Sequence, residues 1–307
     1  MLDVRRSTAP RLSHHSLFSR YFSSMPPVST PAIVLHTFKY SESSKVVRLL
    51  TRDLGLVSAV AKGASKPKSK FGARLQVMSD GIAQLYMKHG RDLNTLAEFE
   101  SVRLRQELAA DIRSYASASA LAELVMRFAP AEPHEETYVR LEAYLDSLCK
   151  VQGDLLETTS ISAIWGIVCA LGFEPSLDGC ARDGRAIDDG PALFSVADGG
   201  LLCSSCAGQT ETARSAAKLQ HSDRLALDSL IAGRCSDVGV LSERHAAAHR
   251  RLLVRFVLRH VSEDRDLKAL DFWESIPWGT SFAGAVPSDN AHPSEAAIEE
   301  TKRGTGS

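Results

Sequence analysis

The feature that most constrains the fold is a change in hydrophobic period near Gln106. Before this point, short runs of β-branched and apolar residues are separated by closely spaced turn residues, which is typical of strands. After it, apolar residues recur every three or four positions, which is typical of amphipathic helices. The chain has 307 residues, of which 44% are hydrophobic, enough for two or three domains with cores of their own. The pattern therefore predicts an α+β protein with its strands and helices in successive domains.

The first part of the chain is predicted to form a small β-barrel. Asp53-Leu54-Gly55 has the composition of a tight turn between the second and third strands. About five strands favour a closed or partly open barrel, because an open sheet of this size would leave long unpaired edges. The predicted strands cover residues 32–38, 45–51, 56–61, 81–87 and 94–101.

The second part is predicted to be helical, with one interruption. Helices are expected at 110–128, 135–150 and 155–171, after Ser222 as an N-cap, and at 242–261. Between Pro175 and Gln209, paired Asp-Gly and Gly-Gly turns and two short strands indicate a small inserted ribbon. Four arginines of the last helix form a basic stripe that is either a solvated face or a phosphate contact: Arg250, Arg251, Arg255 and Arg259.

A basic loop at residues 61–74 follows the third strand. It contains no acidic residue, and Gly63, Pro67 and Gly72 break any regular helix or strand. Such a loop suits a flexible polyanion, although a basic loop that serves only solubility has the same composition. The predicted phosphate contacts are Lys62, Lys66, Lys68, Lys70 and Arg74, with Phe71 predicted to stack on a base.

The basic charge extends beyond this loop into the rest of the barrel segment. Residues 31–107 carry 13 basic and 7 acidic side chains, a net charge of +6 within a chain whose total is −1. A small barrel with this charge is expected of a protein that binds single strands or nucleic-acid backbones, and a protein-docking barrel is the alternative. The residues predicted to extend the binding track are Lys45, Arg48, Lys88 and Arg91.

The inserted ribbon carries a candidate metal site. Cys180 and Asp183 are three positions apart, as are Cys203 and Cys206. Two tight turns that each present two ligands have the geometry of a tetrahedral structural zinc site. Asp183 stands where a fourth cysteine would be expected, and a carboxylate is a harder ligand than a thiolate. Both a zinc-bound ribbon and a metal-free one are therefore open.

Other signals bound the class of protein. No phosphate loop, dinucleotide fingerprint, nucleophile elbow or His-Glu helix motif is present, which favours a binding protein over an enzyme. The longest apolar run is about half of what a membrane span needs. Six irregularly spaced cysteines indicate a reducing cytoplasm. Residues 1–29 are either a transit peptide or an unfolded extension preceding a true start at Met25.

The order of these parts resembles the bacterial DNA repair and recombination mediator family RecO. The resemblance spans about residues 31–272, and it rests on a series of short segments that lead into the cysteine ribbon. These are Ala32-Ile33-Val34-Leu35, Tyr40-Ser41-Glu42-Ser43-Ser44, Thr51-Arg52-Asp53-Leu54-Gly55-Leu56, Ala61-Lys62-Gly63-Ala64 to Lys68-Ser69, Arg91-Asp92-Leu93 and Leu171-Gly172-Phe173-Glu174-Pro175.

The resemblance implies an N-terminal OB-fold barrel, an α-helical domain and a zinc-ribbon-like insert. The expected limits are an extension at 1–29, the barrel at 30–107, the helical domain at 108–272 with its insert at 176–208, and a disordered tail at 273–307.

The resemblance also implies a function without turnover. Members of this family bind single- and double-stranded DNA, anneal complementary strands, and work with RecR to load recombinase onto strands coated by single-strand-binding protein. This implies a cytoplasmic, nucleoid-associated protein that needs no cofactor beyond a structural zinc. The alternatives are a protein-docking adaptor, an RNA-binding OB-fold protein and, less favoured by the motifs, a metal hydrolase.

Overall fold

A computed structural model describes residues 26–87, 90, 92–208, 216–262 and 266–279, which form a five-stranded barrel followed by a helical domain. Most of the predicted N-terminal extension, and the predicted tail from residue 280, lie outside these residues. At both ends the folded part is longer than predicted. Val28 and Ser29 belong to the first strand, and a helix, Lys268–Ser275, crosses the expected boundary at 272.

The barrel confirms the predicted OB-like architecture. Its strands close in the order β1-β2-β3-β5-β4, with β1 also pairing with β4. All pairs are antiparallel except β3 with β5. The strands are β1 (Val28–Lys39), β2 (Lys45–Thr51), β3 (Gly55–Ala61), β4 (Asp80–Tyr86) and β5 (Leu93–Arg103).

The barrel has a core of its own, formed by residues at alternate positions. In β3, buried and half-buried residues alternate from Gly55 to Ala61, as expected when one face of a strand lines a barrel interior. Val47 and Leu49 of β2 and Phe99 of β5 contribute to the same cluster. This core is separate from the core of the helical domain, so the barrel interior is filled by the barrel's own residues.

The helical domain packs around one almost fully buried helix. This central helix carries Trp165, which is completely buried and lies next to the ring of Phe256 at a centroid distance of 5.1 Å. The helices are α1 (Ile112–Phe128), α2 (Glu135–Lys150), the central α3 (Leu155–Ala170), α4 (Ser204–Ala207), α5 (His221–Ile231), α6 (Cys235–Val238), α7 (Glu243–His260) and α8 (Lys268–Ser275).

Side-chain caps begin four of the eight described α-helices, and one start differs from the prediction. The side chain of Asp111 accepts a hydrogen bond from the Arg113 backbone N–H at 2.8 Å, and Ser242 caps α7 in the same way. Helix α5 begins two residues earlier than expected, because Gln220 rather than Ser222 is its N-cap. A reciprocal hydrogen bond from the Gln220 backbone N–H to Asp223 completes that cap.

The end of the described chain belongs to the core. Trp273 of α8 is completely buried, and its indole N–H donates to the Ser160 hydroxyl at 2.6 Å. Trp278 is also buried, and its indole N–H donates to the Trp273 carbonyl at 3.1 Å. The predicted start of a disordered tail at 273 is therefore wrong, since the two indole rings fill space that would otherwise be a cavity.

The barrel and the helical domain share an extensive interface. Ile33 and Leu35 of β1 belong to the core of the helical domain rather than to that of the barrel. Gly55 begins β3 with φ +69°, and a Cβ there would lie 2.4 Å from the Ala131 carbonyl oxygen. The turn before β3 therefore approaches the α1–α2 connection too closely for any side chain, which is why glycine is needed there.

A buried ion network fastens the same interface. The side chain of Arg105 is only 2% exposed, and it pairs with Asp80 of β4 and with Asp146 of α2 at 3.2 and 2.7 Å. It also donates to the Met78 carbonyl at 2.8 Å. The exposed Arg103 also forms salt bridges with the carboxylates of Asp80 and Asp146. These contacts tie the last barrel strand to the helical domain.

The predicted ribbon is present and has one more strand than expected. Strands β6 (Ala192–Ser195), β7 (Gly200–Leu202) and β8 (Ala217–Leu219) form an antiparallel sheet with β6 in the centre. The third strand was not predicted, because three residues are too short to show a period. Within the described ranges, no helix combines the length and apolar character that crossing a bilayer requires.

Candidate nucleic-acid interface and metal cluster

The basic loop, residues 61–74, closes one end of the barrel. Ala64, Phe71 and Leu75 belong to the barrel core, so they anchor the segment from inside. Successive turns order the backbone: Lys66 N donates to Gly63 O, and Arg74 N donates to Phe71 O at 2.8 Å. The loop is therefore a folded cap over the barrel end, held by its apolar residues.

This anchoring leaves the cations of the loop on the outside. All five basic side chains predicted to contact phosphates are exposed. In the part of the chain that the structure describes, none of them forms a salt bridge. Cations without a protein partner gather counterions from solvent, and a polyanion can displace these ions. These residues are Lys62, Lys66, Lys68, Lys70 and Arg74.

The other predicted track residues divide into two groups. Lys45 and Arg48 are half-buried on β2, with Lys45 opposite Lys39 and Arg48 opposite His36. Lys45 is also in register with Ala61, at the start of the basic loop, so the strand cation and the loop cations lie at one end of the barrel. Lys88 and Arg91 lie outside the described residues.

The prediction for Phe71 is wrong. Its side chain is 1% exposed and lies in the barrel core, so it cannot stack on a base while the barrel is closed. Lys70 approaches the ring, with Nζ 5.4 Å from the ring centroid. The physical reason is that the open end of a small barrel needs an apolar plug, and Phe71 is the large apolar residue that this loop offers.

Two other aromatic side chains are exposed near the basic loop, and the sequence reasoning missed them. Phe38 at the end of β1 is 46% exposed, and Tyr40 in the following turn is 58% exposed. That turn is joined to the loop by a hydrogen bond from Ser65 N to Ser43 O at 3.1 Å. The spacing of two in the sequence is the signal that could have revealed them, since alternate strand residues share a face.

The arginine stripe of α7 is only partly a surface feature. Arg251, Arg255 and Arg259 are exposed as predicted. Arg250 is instead largely buried, pairs with Glu157 of α3, and lies over the Trp278 ring at 5.6 Å. Burial lowers the pKa of Arg250 to about 10. This arginine stabilises the helical core, so the stripe is not a continuous phosphate track.

The four predicted metal ligands come together in the ribbon. The ligand atoms of Cys180, Asp183, Cys203 and Cys206 all lie within 4.8 Å of one another. A hydrogen bond from Gly184 N to Cys180 O at 2.9 Å closes the first turn, and one from Ala207 N to Cys203 O closes the second. Ala181 N also donates to Leu201 O of β7 at 2.7 Å, which joins the two turns.

Hydrogen bonds and desolvation within this cluster shift the pKa values of its carboxylate and of two of its thiols. Hydrogen bonds from the Cys180 thiol and from the Arg185 backbone N–H lower the pKa of Asp183 to about 2. The Ser205 hydroxyl and the Cys206 backbone N–H lower the pKa of Cys203. Desolvation and hydrogen bonds with Cys203 and Asp183 raise the pKa of Cys206 to about 12.

The cluster is able to hold a metal ion. Three sulfurs and one carboxylate oxygen suit a tetrahedral zinc, for which ligand distances of about 2.0 to 2.3 Å are usual. The separations in the cluster are compatible with closing on such an ion, and both turns are already formed. The donor set leaves no open position for a substrate, so it matches a structural site rather than a catalytic one.

Comparisons with known families show which family the chain belongs to. Residues 25–105 match the family described as Recombination protein O N terminal, and residues 109–270 match Recombination protein O C terminal. The chain belongs to the RecO family. The junction between the two matches falls where the barrel ends and the helical domain begins.

Individual relatives support the same family. A DNA repair protein RecO from Anaeromyxobacter sp. (strain K) is 35% identical over 184 residues, 60% of this chain and 72% of the relative. The one from Symbiobacterium thermophilum is 32% identical over 252 residues, 80% of this chain and 95% of the relative. The one from Bacillus cereus (strain AH187) is 34% identical over 180 residues, 58% of this chain and 70% of the relative. The chain is therefore a DNA repair protein of the RecO family.

Proposed function

We propose that this RecO-family protein binds single- and double-stranded DNA through the basic loop of its barrel and anneals complementary strands. The observation that carries the proposal is a set of five exposed cations that form no ion pair within the described ranges and are anchored on the barrel by buried apolar residues. A fixed set of cations gains the free energy of counterion release when it meets phosphates. The anchoring means that little loop entropy is lost on binding.

Annealing follows from the same electrostatics. Two complementary strands repel each other through their phosphates, and cations that neutralise one strand lower this repulsion. Contacts to the backbone leave the base edges free to pair, so no sequence readout by the protein is needed. In this proposal the protein acts in the cytoplasm on nucleoid DNA, and it makes or breaks no covalent bond.

The proposal extends to partners. Together with RecR, the protein would help to load recombinase onto strands coated by single-strand-binding protein. What supports this part is membership of a DNA repair family together with a helical domain that leaves the basic loop uncovered. A pull-down of purified RecR by the chain, with and without single-stranded DNA, tests it. No retention under either condition would contradict it.

We propose further that the cysteine cluster holds a structural zinc. Cys180, Cys203, Cys206 and Asp183 would supply the four ligands, and the ion would fix the two turns of the ribbon. Metal analysis of protein purified without chelator should give about one zinc per chain. A zinc-free protein with an intact ribbon would overturn this part and leave the DNA-binding proposal untouched.

The decisive experiment is charge reversal in the basic loop. Lys66→Glu/Lys68→Glu/Lys70→Glu should nearly abolish binding of a labelled oligo(dT) and reduce the salt dependence, since each lost phosphate contact lowers the slope by about 0.7. The matched control is Lys150→Glu/Lys218→Glu/Lys268→Glu, which changes three exposed lysines of the helical domain by the same charge. Annealing of complementary oligonucleotides, followed by fluorescence, should fail only in the first variant.

Two results would overturn the assignment of the loop. Unchanged affinity and slope in the loop variant would show that DNA binds elsewhere. An equal loss in both variants would show that total charge, rather than the loop, attracts DNA. Tighter binding of oligo(U) than of oligo(dT) by the unaltered protein would favour RNA as the natural polyanion.

A further inference from the structure

We propose that Phe38 and Tyr40 form a platform on which unpaired bases of single-stranded DNA stack, next to the basic loop. This inference rests on the proposed DNA binding and adds to it the residues that distinguish single strands from duplexes. Phe38 is the second-last residue of β1, and Tyr40 lies in the turn to β2. The sequence analysis, which searched for basic residues, did not predict a role for either of them.

The first observation is that the two rings share the outer face of the barrel. Thr37 is paired with Val47, which lies in the barrel core, so the alternate residue Phe38 points outward. A hydrogen bond from Tyr40 N to Ser44 O at 3.0 Å continues the hairpin beyond the last strand pair. Tyr40 pairs with Ser44 in register with the Lys39–Lys45 pair, so as alternate residues Tyr40 and Phe38 fall on the same side of the hairpin.

The second observation is that the helical domain covers only half of this face. Ile33 and Leu35 of β1 are buried in the core of the helical domain. A β-bulge lies between Val34 and His36, and beyond it the outward residues of β1 are exposed, whereas Val46 of β2, opposite Phe38, is buried. The ring of His36 lies 5.9 Å from that of Phe38, with the planes tilted by 33°. The rings thus form a short accessible row that no described part of the chain covers.

The third observation is the charge that surrounds the rings. Lys39 lies between them in sequence and is exposed, and Arg48 stands opposite His36 on β2. The basic loop is hydrogen-bonded to the same turn through Ser65 and Ser43 at 3.1 Å. Glu42 is the one acidic residue of the turn, and it is exposed at its tip. An apolar ring row bordered by cations complements a strand that has bases on one side and phosphates on the other.

The combination of exposed rings and cations indicates which ligand the platform would bind. Stacking needs a free π-face, which an unpaired base offers and a base inside a duplex does not. The phosphates of either form reach the cations equally well. The geometry therefore assigns affinity for any DNA to the basic loop, and the preference for single strands to Phe38 and Tyr40.

The test compares two matched double variants. Phe38→Ala/Tyr40→Ala should weaken binding of oligo(dT) by at least about 25-fold, since one stacked base contributes at least about fivefold. Duplex binding and the salt slope should stay unchanged, because no phosphate contact is lost. The control Phe272→Ala/Tyr115→Ala removes one exposed Phe and one exposed Tyr from the helical domain and should bind as the unaltered protein does.

Two further variants separate stacking from simple apolar contact. Phe38→Tyr/Tyr40→Phe keeps both rings and should retain binding, whereas Phe38→Leu/Tyr40→Leu keeps much of the apolar area and should lose it. The chain has 3 tryptophans, Trp165, Trp273 and Trp278, all buried in the helical domain. Phe38→Trp would therefore add one exposed indole, whose fluorescence oligo(dT) should quench.

The outcomes distinguish this inference from the function on which it rests. Unchanged oligo(dT) binding in the alanine pair, with binding still lost in the basic-loop variant, would overturn the platform and keep the loop. An equal loss of single-strand and duplex binding would also overturn it, since the rings would then act through the barrel structure. Unchanged binding in both variants would overturn the loop assignment as well.

Discussion

In the barrel, five basic side chains of the loop are exposed and form no ion pair with any described residue, whereas in the helical domain Arg250 is largely buried between Glu157 and Trp278. The loop cations keep their hydration and contribute little to folding stability, so they are available to a ligand. Arg250 has lost water, and its partners compensate for that loss within the core. Under the proposed function, exposed charge serves binding, while buried charge serves structure.

The comparison extends to aromatic residues. The barrel places Phe38 and Tyr40 outside and Phe71 inside, while the helical domain buries Trp165 and Trp273 completely. Substitutions in the helical core should therefore change stability far more than DNA affinity, and substitutions on the barrel surface should do the reverse. Four further experiments test this division.

The largest effect is expected at Trp273. Trp273→Ala should lower the free energy of unfolding by about 3 to 5 kcal/mol, because it leaves a cavity and removes the partner of Ser160. Urea unfolding measures this loss. Its neighbour Phe272 is 41% exposed, and Phe272→Ala should cost under about 1 kcal/mol. A smaller loss at 273 than at 272 would show that α8 is not part of the core.

The next effect concerns the contact between the two domains. Arg105→Met should cost about 3 kcal/mol, because Asp80 and Asp146 would keep only the exposed Arg103 as a partner. Urea unfolding should become less cooperative as the barrel and the helical domain separate. Arg103→Met is the control and should cost about 1 kcal/mol. Equal effects of both substitutions would contradict the central role of Arg105.

A smaller effect is expected in the metal cluster. Asp183→Cys should raise zinc affinity on the order of tenfold, because a thiolate is the softer ligand, and Asp183→Ala should lower it. Competition with a chromophoric chelator measures both. Oligo(dT) affinity should stay the same in each variant. A change in DNA affinity that follows zinc content would show that the ribbon contributes to binding.

The smallest effect is a pH dependence of stability from His249 of α7. Burial lowers the pKa of this side chain, with His245 adding to the shift and Asp223 opposing it. The unfolded chain binds the proton more readily, so stability is complete above the unfolded pKa of about 6.5 and falls as the pH drops through it. His249→Gln should flatten the unfolding free energy between about pH 7 and pH 5 relative to His245→Gln. Parallel curves would contradict this assignment.

Much of the fold could be predicted from periodicity. The five strands, the helices Glu135–Lys150 and Leu155–Ala170, and the ribbon follow from residue patterns that local geometry imposes. The approach of the four metal ligands was also predictable, because tight turns fix residues three positions apart on one side. Helix α8 was missed because eight residues give only two turns of signal.

The charge of the candidate site could be predicted from the sequence, whereas the prediction of its aromatic residue was wrong. Charge is a property of composition, and a loop without acids remains basic however it folds. Phe71 and Phe38 are the same residue type, both near cations, so composition could not say which ring is buried. In the same way, the arginines of α7 look alike in sequence, yet Arg250 faces the core.

The sequence by itself determined that a basic loop follows the third strand of a small barrel, because that information is local. Only the tertiary structure decided that Phe71 plugs the barrel, that Phe38 and Tyr40 stay exposed beyond the edge of the helical domain, and that the chain after α7 returns to the core. The reason is that the burial of a side chain depends on which distant residues pack over it, and the pattern of a single segment does not contain that information.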